Sequence, residues 1–153
     1  MKMNTENEII LHLNIAPMGK QRPRIVSKGR FSRAYTPKKT VDWTKAAQRC
    51  INRAYSLPPI ERAIPIQVRI VAVHKRPQRL LRRSDPIGRI WKTTKPDIDN
   101  IAKIVYDAGN GILWADDCQI ARSVCEDVYA AKNEEPAVFV YICRLTNYKR
   151  VVD

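Results

Sequence analysis

The chain has 153 residues and a net charge of +13, from 28 Lys and Arg against 15 Asp and Glu, with 44% apolar residues. That length fits one domain able to bury a core unaided, and no run nears the roughly 18 apolar residues that cross a bilayer. Cys50, Cys118, Cys125 and Cys143 lack the spacing of a zinc site and stand far in sequence from His12 and His74, so reduced core thiols are expected.

The region Met1–Ile10 has no apolar signal core, which points to the cytoplasm. Ile9, Leu11, Leu13 and Ile15 alternate with mostly polar residues and predict a first strand. Pro17–Arg24 reads as a basic loop. Ile25–Ser27 and Phe31–Ala34 flank Lys28-Gly29-Arg30 as a small hairpin. Pro37 opens a helix to about Ser56, with Val41, Ala47, Cys50, Ile51 and Ala54 on its apolar side. Lys38, Lys39, Lys45, Arg49 and Arg53 then face solvent.

Ile64–His74 is rich in β-branched residues and predicts a strand. The segment 75–96 carries eight cations and one acid with no apolar period, and is expected to be a long, mobile, basic loop. Asp97 caps a helix from Ile98 to about Ala108, with Gly109 as its stop and Ile101, Ile104, Val105 and Ala108 buried. Gly111–Trp114 is a short strand or turn before Asp116-Asp117. Strands at roughly Gln119–Ala130 and Ala137–Leu145 are expected to pair as a hairpin. The last is apolar on both faces, which suits a central strand or one near an interface. Together these elements predict a single α+β domain, a small mixed β-sheet with helices packed on it.

Charge is unevenly distributed. Ala16–Lys95 holds 21 cations and three acids, whereas Pro96–Glu135 holds nine acids and three cations. The basic excess points to a polyanion, with nucleic acid foremost. Lys20, Arg22, Arg24, Lys28, Arg30 and Arg33 fall in a stretch without an acid and are candidates for phosphate contacts; Lys38, Lys39, Arg76 and Lys95 extend that set. Phe31, Tyr35, Trp43 and Trp91 are candidates for stacking on opened bases, although Trp43 also suits helix packing.

An acidic cluster inside a polyanion binder repels itself and its ligand, and a cation resolves that conflict. Asp97 and Asp99 stand at a helix start, where the positive dipole end favours negative charge; Asp116 and Asp117 follow after Trp114. Phosphodiester hydrolysis needs an activated water and a stabiliser of charge on the leaving oxygen, which Mg²⁺ held by carboxylates supplies. Oxygen donors without a His/Cys set favour Mg²⁺, with Mn²⁺ as a substitute. Read singly, Asp97 is also an N-cap, Asp99 a partner for Lys103 at i,i+4, and Asp116-Asp117 a solvated turn. Lys103 suits either that ion pair or steering of a phosphate. Crowded carboxylates are expected to raise one another's pKa, so that activity and metal affinity fall together in mildly acidic buffer.

The run Thr94-Lys-Pro-Asp97-Ile-Asp99-Asn100-Ile-Ala-Lys103, with Gly111-Ile-Leu-Trp114-Ala-Asp116-Asp117-Cys-Gln119-Ile120, resembles the central signature of the RusA-type Holliday-junction resolvases, the crossover junction endodeoxyribonucleases. Gly19-Lys20-Gln-Arg22-Pro23-Arg24 and Tyr35-Thr36-Pro37-Lys38-Lys39 are similar to that family's opening segments, so the likeness runs from Pro17 to about Leu145. It implies a RusA-like fold and a Mg²⁺-dependent homodimer that cuts four-way DNA junctions by paired symmetric nicks in recombination and repair. It also implies catalytic carboxylates at Asp97, Asp99 and Asp117, an essential lysine at Lys103, and Asp116 as an alternative ligand. The setting it implies is the nucleoid of a bacterial or phage-infected cell, with no membrane partner and no small-molecule cofactor. Two other readings stay open: a nuclease for flaps, forks or RNA, and a non-catalytic nucleic-acid-binding protein whose acids are structural.

Overall fold

Burying the continuous apolar runs of two strands on both faces builds one five-stranded sheet, with both helices on one side. The computed structural model describes residues 8–146. In chain order they form β1 (Glu8–Leu13), β2 (Arg24–Lys28), β3 (Phe31–Tyr35), α1 (Lys38–Ala54), β4 (Ile66–His74), β5 (Ile90–Trp91), α2 (Ile98–Gly109), β6 (Ile120–Tyr129) and β7 (Ala137–Arg144). The main sheet runs β1-β7-β4-β6-β5, and β2 with β3 makes a separate two-stranded ribbon. This is the expected mixed α+β architecture. No helix among the described residues is long and apolar enough to cross a membrane.

The expected hairpin of the last two strands does not form. β4 lies between them, pairing parallel with β6 and antiparallel with β7. The physical reason is burial: both β4 and β7 are apolar on successive residues, so each needs a neighbour on both edges and cover on both faces. Ile66, Val68 and Ile70 of β4 and Val138, Val140 and Ile142 of β7 join Ala47, Ile51, Ile104 and Val105 of the helices in the main core. Each fully buried Ile or Leu there contributes about 1.5–3 kcal/mol. Val71 and Val73 pack with Phe139 and Tyr141 on the opposite face.

Gly109 does not end α2 by a left-handed turn. The positive φ falls at Gly111, +75°, while a Cβ on Gly109 would lie 2.6 Å from the buried Trp114 ring. Gly109 is required for that close approach. The cysteines are free, but Cys118 is exposed rather than a core thiol.

Segment 75–96 is not the structureless loop its composition suggests. Arg76 turns inward, 5% exposed, and donates to the backbone oxygens of Ala130 at 2.7 Å and Pro86 at 2.6 Å, and to that of Gly88. Its guanidinium satisfies three carbonyls at once and so folds the segment against the sheet. Lys92 then places its Nζ 2.8 Å from Asp127 Oδ2, with the two side chains 4% and 6% exposed. His74 Nε2 lies 2.7 Å from Asp127 Oδ1, yet neither atom has a well-aligned hydrogen bond. Thr94 Oγ1 and the Tyr129 hydroxyl, 3.0 Å apart, secure the next turn of chain. A buried Lys–Asp–His group thus fixes the approach to Asp97.

Removing one member of a buried ion pair leaves an uncompensated charge, at a cost of about 3–5 kcal/mol. Lys92→Met should therefore lower unfolding free energy in urea by that amount; a change under about 1 kcal/mol would show that Asp127 finds water. Burial holds the His74 pKa below its ordinary value, with Lys92 adding to the effect and Asp127 opposing it. Because the unfolded chain takes up the proton first, this contribution is full above the ordinary histidine value of about 6.5 and is lost as pH falls through the folded value. The melting temperature should decline on that acid side, and His74→Gln should flatten the decline.

Candidate active site

α2 begins at Asp97, whose backbone is extended (φ −74°, ψ 148°) in the N-cap position, but whose side chain makes no capping bond. The expectation that Asp97 is an ordinary cap is thus not met, and its carboxylate is exposed beside the free N–H groups of the first turn. Asp99 sits in that turn, and Lys103 Nζ donates to its Oδ2 at 3.0 Å. That bond, with the lysine's charge, holds the Asp99 carboxyl below the ordinary range. Repulsion from its acidic neighbours therefore does not raise this carboxyl as expected.

Facing the helix start is a strap, Lys20–Pro23. It can lie close because Gly19 has no side chain: a Cβ there would be 2.5 Å from the Cβ of Pro96. Lys20 N donates to the Asn100 carbonyl at 2.9 Å, and its Nζ pairs with Asp107 at 2.7 Å. Between strap and helix opens a cleft of about 380 Å³ whose walls include Arg22, Asp97, Asp99, Asn100 and Lys103. Cations and carboxylates thus share the walls of one open groove.

The second acidic pair is divided in its duties. Asp116 caps the 3-10 turn Asp117–Gln119 in a reciprocal capping box with Gln119 and pairs with Arg62. The backbone N–H and thiol of Cys118, with Arg62, bring its carboxyl down to about 2. Gln119 is held in turn, donating to the carbonyls of Glu61 at 3.1 Å and Ile64 at 2.9 Å. Asp117 is exposed and has no ion pair among the described residues.

One chain does not gather the two halves. Thr94, just before α2, touches Tyr129 at the end of β6. Tyr106 reaches Ser123 partway along, and Asp117 immediately precedes β6. α2, 12 residues long, therefore runs antiparallel to β6, and most of its length, about 15 Å of helix, lies between Asp97 and Asp99 at its start and the end that faces Asp117. Among the described residues, no three His, Cys, Asp or Glu side chains are close enough to share one metal ion.

Of the expected phosphate-binding cations, Lys20 and Arg22 line the cleft. Arg24, Lys38 and Lys39 line a second groove of about 330 Å³ with Gln21 and Tyr35. Lys28, Arg30 and Lys95 are exposed. Arg76 is a correction, being buried on backbone carbonyls where it cannot meet a ligand. Trp43 packs against the core and donates to the Ala16 carbonyl at 2.8 Å, whereas Trp91 is 72% exposed. Sequence reasoning passed over Gln21, which lines both grooves, and Lys92 with Asp127, whose burial no local pattern signals.

Fold and site together define a small α+β protein with paired carboxylates under a strap of cations. Residues 14–142, most of the chain, match the family model described as Endodeoxyribonuclease RusA, and the chain belongs to that family. A shorter stretch of 55 residues is 42% identical to the "Uncharacterized protein YqaN" of Bacillus subtilis (strain 168), covering 36% of this chain and 37% of that protein.

If Gly19 is what brings the strap to the helix, Gly19→Ala should break the bond from the Lys20 amide to Asn100. A lost hydrogen bond of about 1 kcal/mol corresponds to roughly fivefold faster hydrogen exchange at that amide. An unchanged rate would mean that the Cβ is accommodated without moving the strap.

Proposed function

We propose that this chain is a Mg²⁺-dependent endonuclease that resolves four-way DNA junctions by paired symmetric nicks, and that it works as a homodimer. The observation that carries this reading is the uncapped Asp97 beside Asp99 at the mouth of a cationic cleft. A free carboxylate at Asp97, next to an Asp99 held ionised by Lys103, suits a cation and a phosphate together against a basic surface. Membership in the RusA endodeoxyribonuclease family supports the same reading.

The donor set fits a hard cation, with Asp97 and Asp99 as its ligands from one protomer and Mn²⁺ as a substitute. Asp107 is tied to Lys20 and Asp117 of the same chain lies near the opposite end of α2, so Asp117 of a second copy would complete the set. Bound there, the ion would activate water and offset charge on the leaving oxygen. Lys103 holds Asp99 ionised and offers its charge to the scissile phosphate. Lys20 and Arg22 hold the backbone from the opposite wall, contributing affinity without sequence reading. Two such sites related by a two-fold axis match two opposed incisions in a four-way junction.

Asp99→Asn should reduce cleavage of a fixed junction by about a hundredfold or more, since several kcal/mol of charge stabilisation depend on the ion. Junction binding should be kept or strengthened. Undiminished cleavage would remove Asp99 from the mechanism. Mixing Asp99→Asn with Asp117→Asn protomers tests the shared site. In a mixed dimer one composite site is wholly wild-type, so single-strand nicking should return. If every site were built within one chain, the mixture would stay inactive.

A further inference from the structure

β2 and β3 form a ribbon with two unlike faces. Its register pairs Arg24 with Tyr35, Val26 with Arg33 and Lys28 with Phe31, while Ile25 faces Ala34 and Ser27 faces Ser32. Directly opposed residues project to the same side and successive residues alternate. One face therefore carries Arg24, Lys28, Arg33, Phe31, Tyr35 and Val26; the other carries only small or neutral side chains. The ribbon turns tightly at Gly29, whose φ of +63° suits the first central position of a two-residue hairpin turn.

All ten strand residues are exposed, with Phe31 at 83% and Tyr35 at 43%. Among the described residues, Arg24, Lys28 and Arg33 have no carboxylate partner. Exposed aromatics alternating with unpaired cations are the surface that grips single-stranded nucleic acid, through base stacking and phosphate contacts. The same face on a second copy would bring six cations together without a counter-charge, so charge complementarity favours DNA over self-association. The ribbon's base adjoins the catalytic cleft, because Gln21 lines both that cleft and the groove holding Arg24 and Tyr35.

We propose that this ribbon distinguishes branched DNA from linear duplex: Phe31 and Tyr35 stack on bases that open at the branch point on binding, while Arg24, Lys28 and Arg33 hold the flanking phosphates. Phe31 and Tyr35 are four residues apart on one strand, about 13 Å. Bases stacked in a duplex are about 3.4 Å apart, so the two rings engage two separate extruded bases. A linear duplex has none to give, and meets only the cations. The inference deepens the resolvase reading and rests on it.

The test is binding by the full chain to a fixed four-way junction and to a linear duplex of equal length, in Ca²⁺ to prevent cleavage. Wild-type protein should prefer the junction. Phe31→Ala should weaken junction binding about tenfold, the scale of one lost base stack, and duplex binding less than twofold. Phe31→Trp should restore the preference, and Ile25→Ala on the opposite face should leave it intact. Arg33→Ala should weaken both substrates and reduce the slope of log K against log salt by about one. The proposal fails if a Phe31→Ala/Tyr35→Ala variant keeps the preference, or if that variant changes the sedimenting mass, which would make the ribbon a contact between copies. Absence of any preference in the wild type would overturn the resolvase reading as well.

Discussion

The parallel pairing of β4 with β6 governs where everything else lies. Parallel neighbours cannot be joined by a tight turn, so the chain must travel back along the sheet before β6 can start. α2 makes that return. Its N-terminus consequently stands at the far end of the two strands, and the turn that feeds β6 stands at the near end. Asp97 and Asp99 are delivered to one end of the molecule, Asp117 to the other, by a constraint of hydrogen-bond direction that has nothing to do with carboxylate chemistry.

The cations divide into two populations that composition cannot separate. Arg76 and Lys92 are folded in, one on three carbonyls and the other on Asp127. Arg62, Arg69 and Arg89 are tied to Asp116, Glu126 and Glu134. Others, Arg22 on the strap and the cations of the ribbon and the start of α1, have no carboxylate partner among the described residues. A buried cation needs a carbonyl or carboxylate within reach, because leaving it unpaired costs several kcal/mol; an exposed one needs nothing. Segment 75–96 shows the distinction most clearly, since Arg76 and Lys92 use their charge to fold it.

The α2 start also shows how an acidic site survives inside a protein of such positive charge. Lys103 keeps Asp99 ionised from within the helix, and the first-turn N–H groups favour charge at Asp97. The Lys20–Pro23 strap approaches only because residue 19 lacks a side chain. Rigid support comes from below, where Lys92, Asp127 and His74 fix the chain entering the helix.

The sequence by itself determined the elements whose cause is local. Alternation over Ile9–Ile15, the β-branched run to His74, the turn glycine at position 29 and the apolar face of Ile98–Ala108 each act within a few residues, and β1, β4, the ribbon and α2 formed where those patterns predicted them. The acidic residues were legible too, since like charges gathered in a basic chain are conspicuous in one dimension. Tertiary structure alone decided which strands are neighbours, because a strand that is apolar on both faces states its need for cover without naming who supplies it. It also decided that Arg76 is buried, that Gly109 serves Trp114 rather than the helix end, and that Asp117 lies a helix away from Asp99. Those are outcomes of contacts between segments distant along the chain, where burial and strand direction, not spacing in sequence, fix what can touch.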